Sequence, residues 1–398
     1  MTDQILPFHT FLWKIVSRCN LDCSYCYVYN SADSRWREQP KLMSETVARQ
    51  TARRMREHLD SHGKKDAVIV LHGGEPLLGG VEHLEGIARV IGDEFAGAGI
   101  RLSVGTQSNL LLFTEEIGEL YLRRQMSIGV SIDGPPEVND IFRVDHRGRP
   151  SSKQLEQKLA LLTSSRYRTL FSGFLCVINP MVDPIVVTRY LMSYQPPSID
   201  FLFPLDNHVR RPLGKSVDRP DATPYGDWLI RAFDFWCSQP TRTDIRIFMS
   251  MIRMIFGAPT LVESLGLLPV DLIVIEANGD IEGVDSLKAT FNGATQLGYN
   301  VERDSFDRVA QDISVRSRQN GANGLCRKCQ ECGVVEVCGG GYLPHRYSLE
   351  RGFDNPSVYC ADLEKLIRHI HRSLVQELPS AWSGSERTPL NYQSQVSA

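Results

Sequence analysis

The chain has 398 residues, 42% of them hydrophobic, with a formal net charge of -3 and a pI of about 6.4. That length allows a large core and two or three domains, and the nearly balanced charge gives no strong field for nucleic acid or an anionic membrane. There is no apolar run of about 18 residues and no basic n-region followed by an apolar stretch and a cleavage site, so neither a membrane span nor a secretory signal is expected, and a cytoplasmic protein is.

The first half alternates strand-like and helix-like segments. FLWKIVSRC (11–19) reads as an apolar strand running into the first cysteine. ETVARQTARRMREHL (45–59) has helical period, and DAVIVLHGG (66–74) is a β-rich run closed by a glycine pair. A helix over 81–99, with Gly99 near its end, precedes the strand RLSVGTQSN (101–109). TEEIGELYLRRQ (114–125) is a helix with Thr114 as N-cap and acids in its first turn. SIGVSIDGPP (127–136), TLFSGFLCVINP (169–180) and SIDFLFPLDN (198–207) are strands, separated by helices over 152–165 and 184–195. Six β/α alternations with polar residues at the strand ends predict an α/β fold, a partial (β/α)6 barrel with its site at the C-terminal ends of the strands.

A Pro- and charge-rich connection, NHVRRPLGKSVDRPDATP, leads to aromatic-rich helices over 225–237 and 244–257. LIVIEANGDIEGV reads as a hairpin turning at Asn278-Gly279. Five cysteines then sit in a loop-rich stretch before a closing helix, DLEKLIRHIHRSLVQEL. The expected division is a barrel over 1–225, a helical bridge over 226–270, an auxiliary domain over 271–378 and a disordered tail over 379–398, rich in Ser, Gln and Thr.

The ten cysteines fall into two clusters, at 19–26 and 326–360. Cys176 and Cys237 stand alone and read as small buried hydrophobes. Two tight clusters without a secretory signal point to metal sites rather than disulfides. Cys19-x3-Cys23-x2-Cys26 offers three thiolates, enough to hold a cubane and leave one iron open, as a catalytic metal site needs. Zinc or a redox dithiol are the alternatives. No fourth Cys or His follows at zinc spacing, and a dithiol does not need the third cysteine.

CNLDCSYCY resembles the signature of the radical S-adenosylmethionine (SAM) superfamily, with Tyr25 as its aromatic residue. HGGEPLL (72–78) resembles the superfamily's Gly-Gly-Glu-Pro segment, which implies that Gly73, Gly74, Glu75 and Pro76 receive the amino group of SAM. A carboxylate suits an ammonium, and glycine permits close backbone approach. The resemblance further implies SAM contacts at Ser131 and Asp133 in SIDGPP, at Gln107 and Asn109 in TQSN, and at Arg143. Tyr27 and Val28 are expected to pack near adenine.

Cys326-x2-Cys329-x2-Cys332-x5-Cys338, with Cys360, resembles the SPASM extension of peptide-modifying radical SAM enzymes. Cys329, Cys332, Cys338 and Cys360 match the four ligands of its second auxiliary [4Fe–4S] cluster. The first auxiliary cluster is not matched: Val284, Asp285 and Tyr342 stand where cysteines are expected. Cys326 is an extra thiol that can swap into the site or ligate a rearranged cluster, and zinc is the alternative for this group. Landmarks such as IEGVDSLK, CGGGYLPHRYS and GFDNPSVYCADL narrow the resemblance to the FxsB-like, cyclophane-forming group of peptide maturases.

That resemblance implies a cytoplasmic enzyme that receives an electron from a flavodoxin- or ferredoxin-type donor and cleaves SAM. It abstracts a β-carbon hydrogen from a precursor peptide and joins that carbon to an aromatic ring. Rearomatisation loses one electron and one proton. Asp285 and Glu282 are candidate proton acceptors, with His345 and Tyr347 behind them. The alternatives are thioether, ether or epimerised products, sulfatase-maturase-like oxidation, and a non-catalytic iron–sulfur or zinc interaction protein. The GGEP element disfavours the last. Leader binding is expected to use the barrel and C-terminal surfaces or a separate protein.

Overall fold

The computed structural model describes residues 6–377 except 217, 220, 241–242 and 261; the expected tail at 379–398 lies outside the described residues. Ten strands follow in chain order: β1 (Thr10–Val16), β2 (Asp66–Gly73), β3 (Arg101–Ser108), β4 (Ser127–Ser131), β5 (Phe171–Val177), β6 (Ser198–Leu202), β7 (Asp244–Ile245), β8 (Leu272–Ile275), β9 (Asp280–Glu282) and β10 (Gln296–Asn300). The six strands expected in the first half are β1 to β6.

The chain divides into two compact units. The first holds residues 1–176, 194–197 and 271–317; the second holds 177–193, 198–270 and 318–398. Residues 271–317, expected to open the auxiliary domain, thus cluster with the first unit.

In the first unit the strand order is β10-β9-β8-β1-β2-β3-β4-β5. β8 through β5 are parallel, and β9 and β10 add as an antiparallel edge. A parallel sheet is covered on both faces, so its strands read as near-continuous apolar runs. β1 is the clearest case: Phe11, Trp13, Ile15 and Val16 are buried, and so is Lys14. The helix Glu45–Ser61 buries Val47, Ala48, Thr51, Ala52, Met55 and Leu59, one stripe at three- and four-residue spacing, and packs on the helix Gly80–Phe95. Ser44 caps it by accepting the Val47 N–H, and Thr114 caps Glu115–Arg124 by accepting the Ile117 N–H. The expected hairpin is β8–β9, its turn closed by an N–H of Gly279 donating to the Glu276 carbonyl.

The second unit is mainly helical. Pro224–Cys237 packs against Pro184–Ser193 and against the long closing helix Cys360–Glu377, while β6 and β7 form a short parallel pair. Asp362, fully buried, ties the closing helix to the first turn of Pro224–Cys237 by accepting the N–H groups of Tyr225 and Gly226, and it pairs with Lys215.

Candidate functional site

Cys19, Cys23 and Cys26 lie in the loop that leaves β1. The loop is held by short-range bonds: Cys26 N–H donates to the Cys23 carbonyl at 2.9 Å, and Asn30 N–H to the Cys26 carbonyl at 2.9 Å. It is also tied to the segment after β4, through Asp22 N–H to the Val144 carbonyl at 2.8 Å and His146 Nε2 to the Cys19 carbonyl at 2.9 Å. Burial pushes the Cys19 thiol up to about 12 and Cys23 to about 11, and raises Cys26. Without a metal they are neutral thiols; a bound cluster takes them as thiolates and releases the protons. The three sulfurs interact electrostatically with one another, which places them around one site.

Behind the loop, Tyr25 donates from its hydroxyl to Asp133 Oδ2 at 2.6 Å and accepts from Arg143 Nη1 at 2.8 Å. Arg143 is 6% exposed, and the anionic groups around it hold its guanidinium charged despite burial. Three expected residues, 25, 133 and 143, thus form one chain against Cys23. Arg143 Nε has no hydrogen-bond partner.

Glu75 is 1% exposed and is the clearest ligand-shaped group. Its Oε1 accepts from Ser108 Oγ at 2.7 Å and Leu77 N–H at 3.0 Å; its Oε2 accepts from Asn109 N–H at 2.7 Å. No Lys or Arg forms an ion pair with it among the described residues, and burial raises its pKa. A buried carboxylate lacking a cation is costly, and the ammonium of an amino acid moiety suits it. Asn109 also donates from Nδ2 to Asn20 Oδ1 at 2.8 Å, which brings the end of β3 beside Cys19. Its neighbour Leu110 holds φ +67°, a strained value for a branched residue, and its N–H bonds Ser108 Oγ at 2.8 Å.

The glycine pair has a second reason. A Cβ on Gly73 would lie 2.1 Å from the Val16 carbonyl oxygen, and one on Gly74 would lie 2.0 Å from that of Arg18. Close approach of the end of β2 to the end of β1 and to the start of the cysteine loop therefore requires both. Pro76 is buried at the start of the short turn after Glu75. Ser131, at the end of β4, accepts from Gln107 Nε2 at 2.9 Å.

The hydroxyl of Tyr27 joins a second group of buried polar side chains. Its hydroxyl donates to Asp285 Oδ2 at 2.6 Å, and Lys14 pairs with the same oxygen at 2.7 Å. Lys14 also reaches His72 Nδ1 and the Gly73 carbonyl, both at 3.3 Å. These contacts hold Asp285 well below the usual carboxylate range, although burial opposes them. Alongside, Lys288 pairs with Glu276 and with Glu282 Oε2 at 3.0 Å. Glu282 further meets Arg35 at 3.5 Å and the Thr295 hydroxyl at 2.8 Å. Burial raises the Glu282 pKa. A buried ionic network thus occupies the hairpin where the resemblance expects a cluster-ligating cysteine.

In the second unit Cys329, Cys332, Cys338 and Cys360 line one cavity with Lys328 and Glu364. Cys326 does not line it but adjoins it, packing with Leu325 and Cys329 and hydrogen-bonding the Cys329 thiol. Burial pushes the Cys338 thiol to about 12. Tyr342 bonds Glu263 at 3.4 Å. His345 is 3% exposed, ringed by Phe203, Tyr342 and Tyr359, with its pKa lowered to about 3 by burial. It is a neutral core imidazole, closed to solvent. Tyr347 packs against Phe353 with the rings tilted, centroids 5.4 Å apart.

One further group has metal-like spacing: His58, His62 and Asp307, whose ligand atoms lie within 4.8 Å. His58 uses both ring nitrogens otherwise. Nε2 accepts the Phe8 N–H at 2.9 Å, so Nδ1 carries the hydrogen that meets Asp307. Metal at Nδ1 would put a hydrogen on Nε2, facing that N–H. The triad is a clasp between β1, its neighbouring helix and Phe306–Ala310.

Lys14, Ser108, Asn20 and Leu110 were not anticipated. Only Lys14 left a signal, as the single charge inside an apolar strand.

Residues 13–184 match the Radical SAM superfamily. The chain is 29% identical over 392 residues to a serine-type anaerobic sulfatase-maturating enzyme of Bacteroides thetaiotaomicron, covering 92% of this chain and 89% of that protein. Its fold matches anSMEcpe with bound AdoMet and Cp18Cys peptide, with a TM-score of 0.77 at 20% identity, over 92% of this chain and 98% of that one. It also matches Streptococcus suis SuiB bound to precursor peptide SuiA, with a TM-score of 0.58 at 13% identity, over 89% and 76%. No described helix is long and apolar enough to cross a membrane.

Proposed function

With residues 13–184 a radical SAM domain, we propose that this protein is an oxidative peptide maturase that joins a side-chain β-carbon to an aromatic ring within a precursor peptide. When bound at Cys19, Cys23 and Cys26, a [4Fe–4S] cluster with SAM supplies a 5′-deoxyadenosyl radical able to take a β-hydrogen. The protein's share is placement. Glu75 receives the SAM ammonium, Asn109 and Asn20 fix the strand end beside Cys19, and Arg143, Tyr25 and Asp133 lock the cluster loop. The buried carboxylate of Glu75, which forms no ion pair among the described residues, carries the SAM-binding reading.

The peptide reading is supported by the relatives. One solved structure holds a peptide with AdoMet and another a precursor peptide. The finer choice, a crosslink rather than sulfatase-type oxidation, is supported by the hairpin, where Lys14–Asp285 and Lys288–Glu276–Glu282 fill the expected ligand position. We assign one auxiliary cluster to Cys329, Cys332, Cys338 and Cys360, with Cys326 outside it, and an external flavodoxin- or ferredoxin-type donor.

Asp285 is the proton acceptor in this reading. Lys14 and Tyr27 keep it ionised, and a proton leaving a rearomatising ring is acidic enough for so weak a base. Glu282 and His345 are structural. Co-expression with the precursor peptide encoded beside the gene tests the assignment. A peptide lighter by two hydrogens, with fragmentation blocked across a three-residue segment containing an aromatic residue, is expected. Conversion of a Cys or Ser to an aldehyde would favour the sulfatase-type reaction instead.

A further inference from the structure

Gly339, Gly340 and Gly341 follow Cys338 with φ of 62°, 74° and 71°. Three successive residues in the left-handed helical region make one tight turn, its amide N–H groups facing one end and its carbonyls the other. At the N–H end, the amides of Gly340 and Gly341 bond the Cys338 sulfur, and Gly341 N–H donates to the Cys338 carbonyl at 3.0 Å. At the carbonyl end sits one guanidinium. Arg346 Nη2 donates to Gly339 O at 2.7 Å and Gly341 O at 2.6 Å, and Nε donates to Gly340 O at 3.1 Å and Gly341 O at 3.2 Å. Side chains are excluded here. A Cβ on Gly339 would lie 1.8 Å from the Gly266 carbonyl oxygen, and one on Gly340 would lie 3.2 Å from Arg346 Cζ.

Arg346 is 9% exposed and pairs with no carboxylate among the described residues. Burying an uncompensated cation costs several kcal/mol. The negative groups it faces are the sulfurs of Cys329, Cys338 and Cys326. Lys328 and Glu364, opposite in sign, also line the cavity. A cubane held by four thiolates is net negative, and more so when reduced, so a fixed cation and aimed amides favour its reduced form.

We propose that Arg346 is a positioning residue for the auxiliary cluster: it locks the Cys338 glycine turn and raises the cluster's reduction potential, making it a better electron acceptor. This rests on the reading of Cys329, Cys332, Cys338 and Cys360 as a cluster site.

The test is an EPR-monitored redox titration of the full, anaerobically reconstituted chain, reading the signal that SAM does not alter. Arg346→Gln is expected to keep its iron and move that midpoint negative by a tenfold change in the reduction equilibrium, about 59 mV for a one-electron couple. Arg346→Lys is expected to shift less. Retained iron with an unchanged midpoint overturns the proposal. Should Arg346→Gln lose the second cluster, Gly340→Ala carries the test: its methyl group would lie 2.9 Å from Leu325 Cδ2 and 3.2 Å from Arg346 Cζ, so it displaces the guanidinium, the midpoint must again move negative, and an unchanged value overturns the proposal. A wild-type chain with no SAM-insensitive signal, whose iron content Cys338→Ala does not alter, overturns the cluster reading itself.

Discussion

Replacing Glu75 with glutamine separates SAM binding from cluster assembly. The carboxylate accepts three hydrogen bonds, from Ser108, Leu77 and Asn109, and no side-chain cation pairs with it among the described residues. In the proposed reading its charge serves the SAM ammonium. A hydrogen bond to a charged group is worth about 1.5–3 kcal/mol, which is about 10- to 150-fold in Kd. The fold should hardly suffer. The amide turns one NH2 toward a donor, costing about 1 kcal/mol, but removing a buried charge offsets that. Because burial raises the pKa of Glu75 above its unfolded value, its contribution to stability is lost as pH rises through that window, and glutamine is free of the loss. Anaerobic calorimetric titration with SAM, alongside iron analysis, is the assay. Glu75→Gln is expected to keep wild-type iron and bind SAM about 10- to 150-fold more weakly. Wild-type affinity with full iron would refute the ammonium assignment.

Other expectations follow from the same geometry. Lys14→Met strands Asp285 as a buried charge and should cost about 3–5 kcal/mol in denaturant unfolding; Lys14→Met with Asp285→Asn should recover part of it, and equal losses would refute the pairing. Gly73→Ala should fail to fold or lose several kcal/mol, because its Cβ would lie 2.1 Å from the Val16 carbonyl oxygen. Gly86→Ala, in a helix with open space around it, should instead stabilise by about 0.5–1 kcal/mol in a melting assay. Asp200 is buried near Arg246, at 3.2 Å, and burial raises its carboxyl from 3.8 to about 6. Its contribution is present at low pH and lost as pH rises from about 4 to about 6. Asp200→Asn should therefore gain up to about 3 kcal/mol over wild type at neutral pH and nothing near pH 4, measured by urea unfolding.

What the sequence made legible was local. The six strands, the Thr114 cap, the β8–β9 hairpin and the two cysteine sets are patterns of spacing and period. What it hid were pairings across the chain. Tyr25 meets Asp133 over 108 residues and Tyr27 meets Asp285 over 258, so the hydroxyl of Tyr27 joins an ionic network that its place in the sequence does not announce. The glycines of GGEP carried a signal whose fuller cause, the crowding of β2 against β1, appears only when the strands are paired. His345 had the chemistry of a base but the burial of a core residue, and a one-residue pattern does not distinguish the two. Cys326 has the CxxC spacing of its neighbours, and it packs against Cys329 beside the cavity rather than lining it.

Radical SAM chemistry on a peptide is tested most directly in one reaction. Reconstituted protein, SAM, a reductant and the adjacent-gene peptide are incubated anaerobically, and 5′-deoxyadenosine and peptide mass are measured together. The account predicts 5′-deoxyadenosine in step with a peptide lighter by two hydrogens, both abolished by Cys23→Ala. SAM cleavage that leaves the peptide unchanged would contradict it.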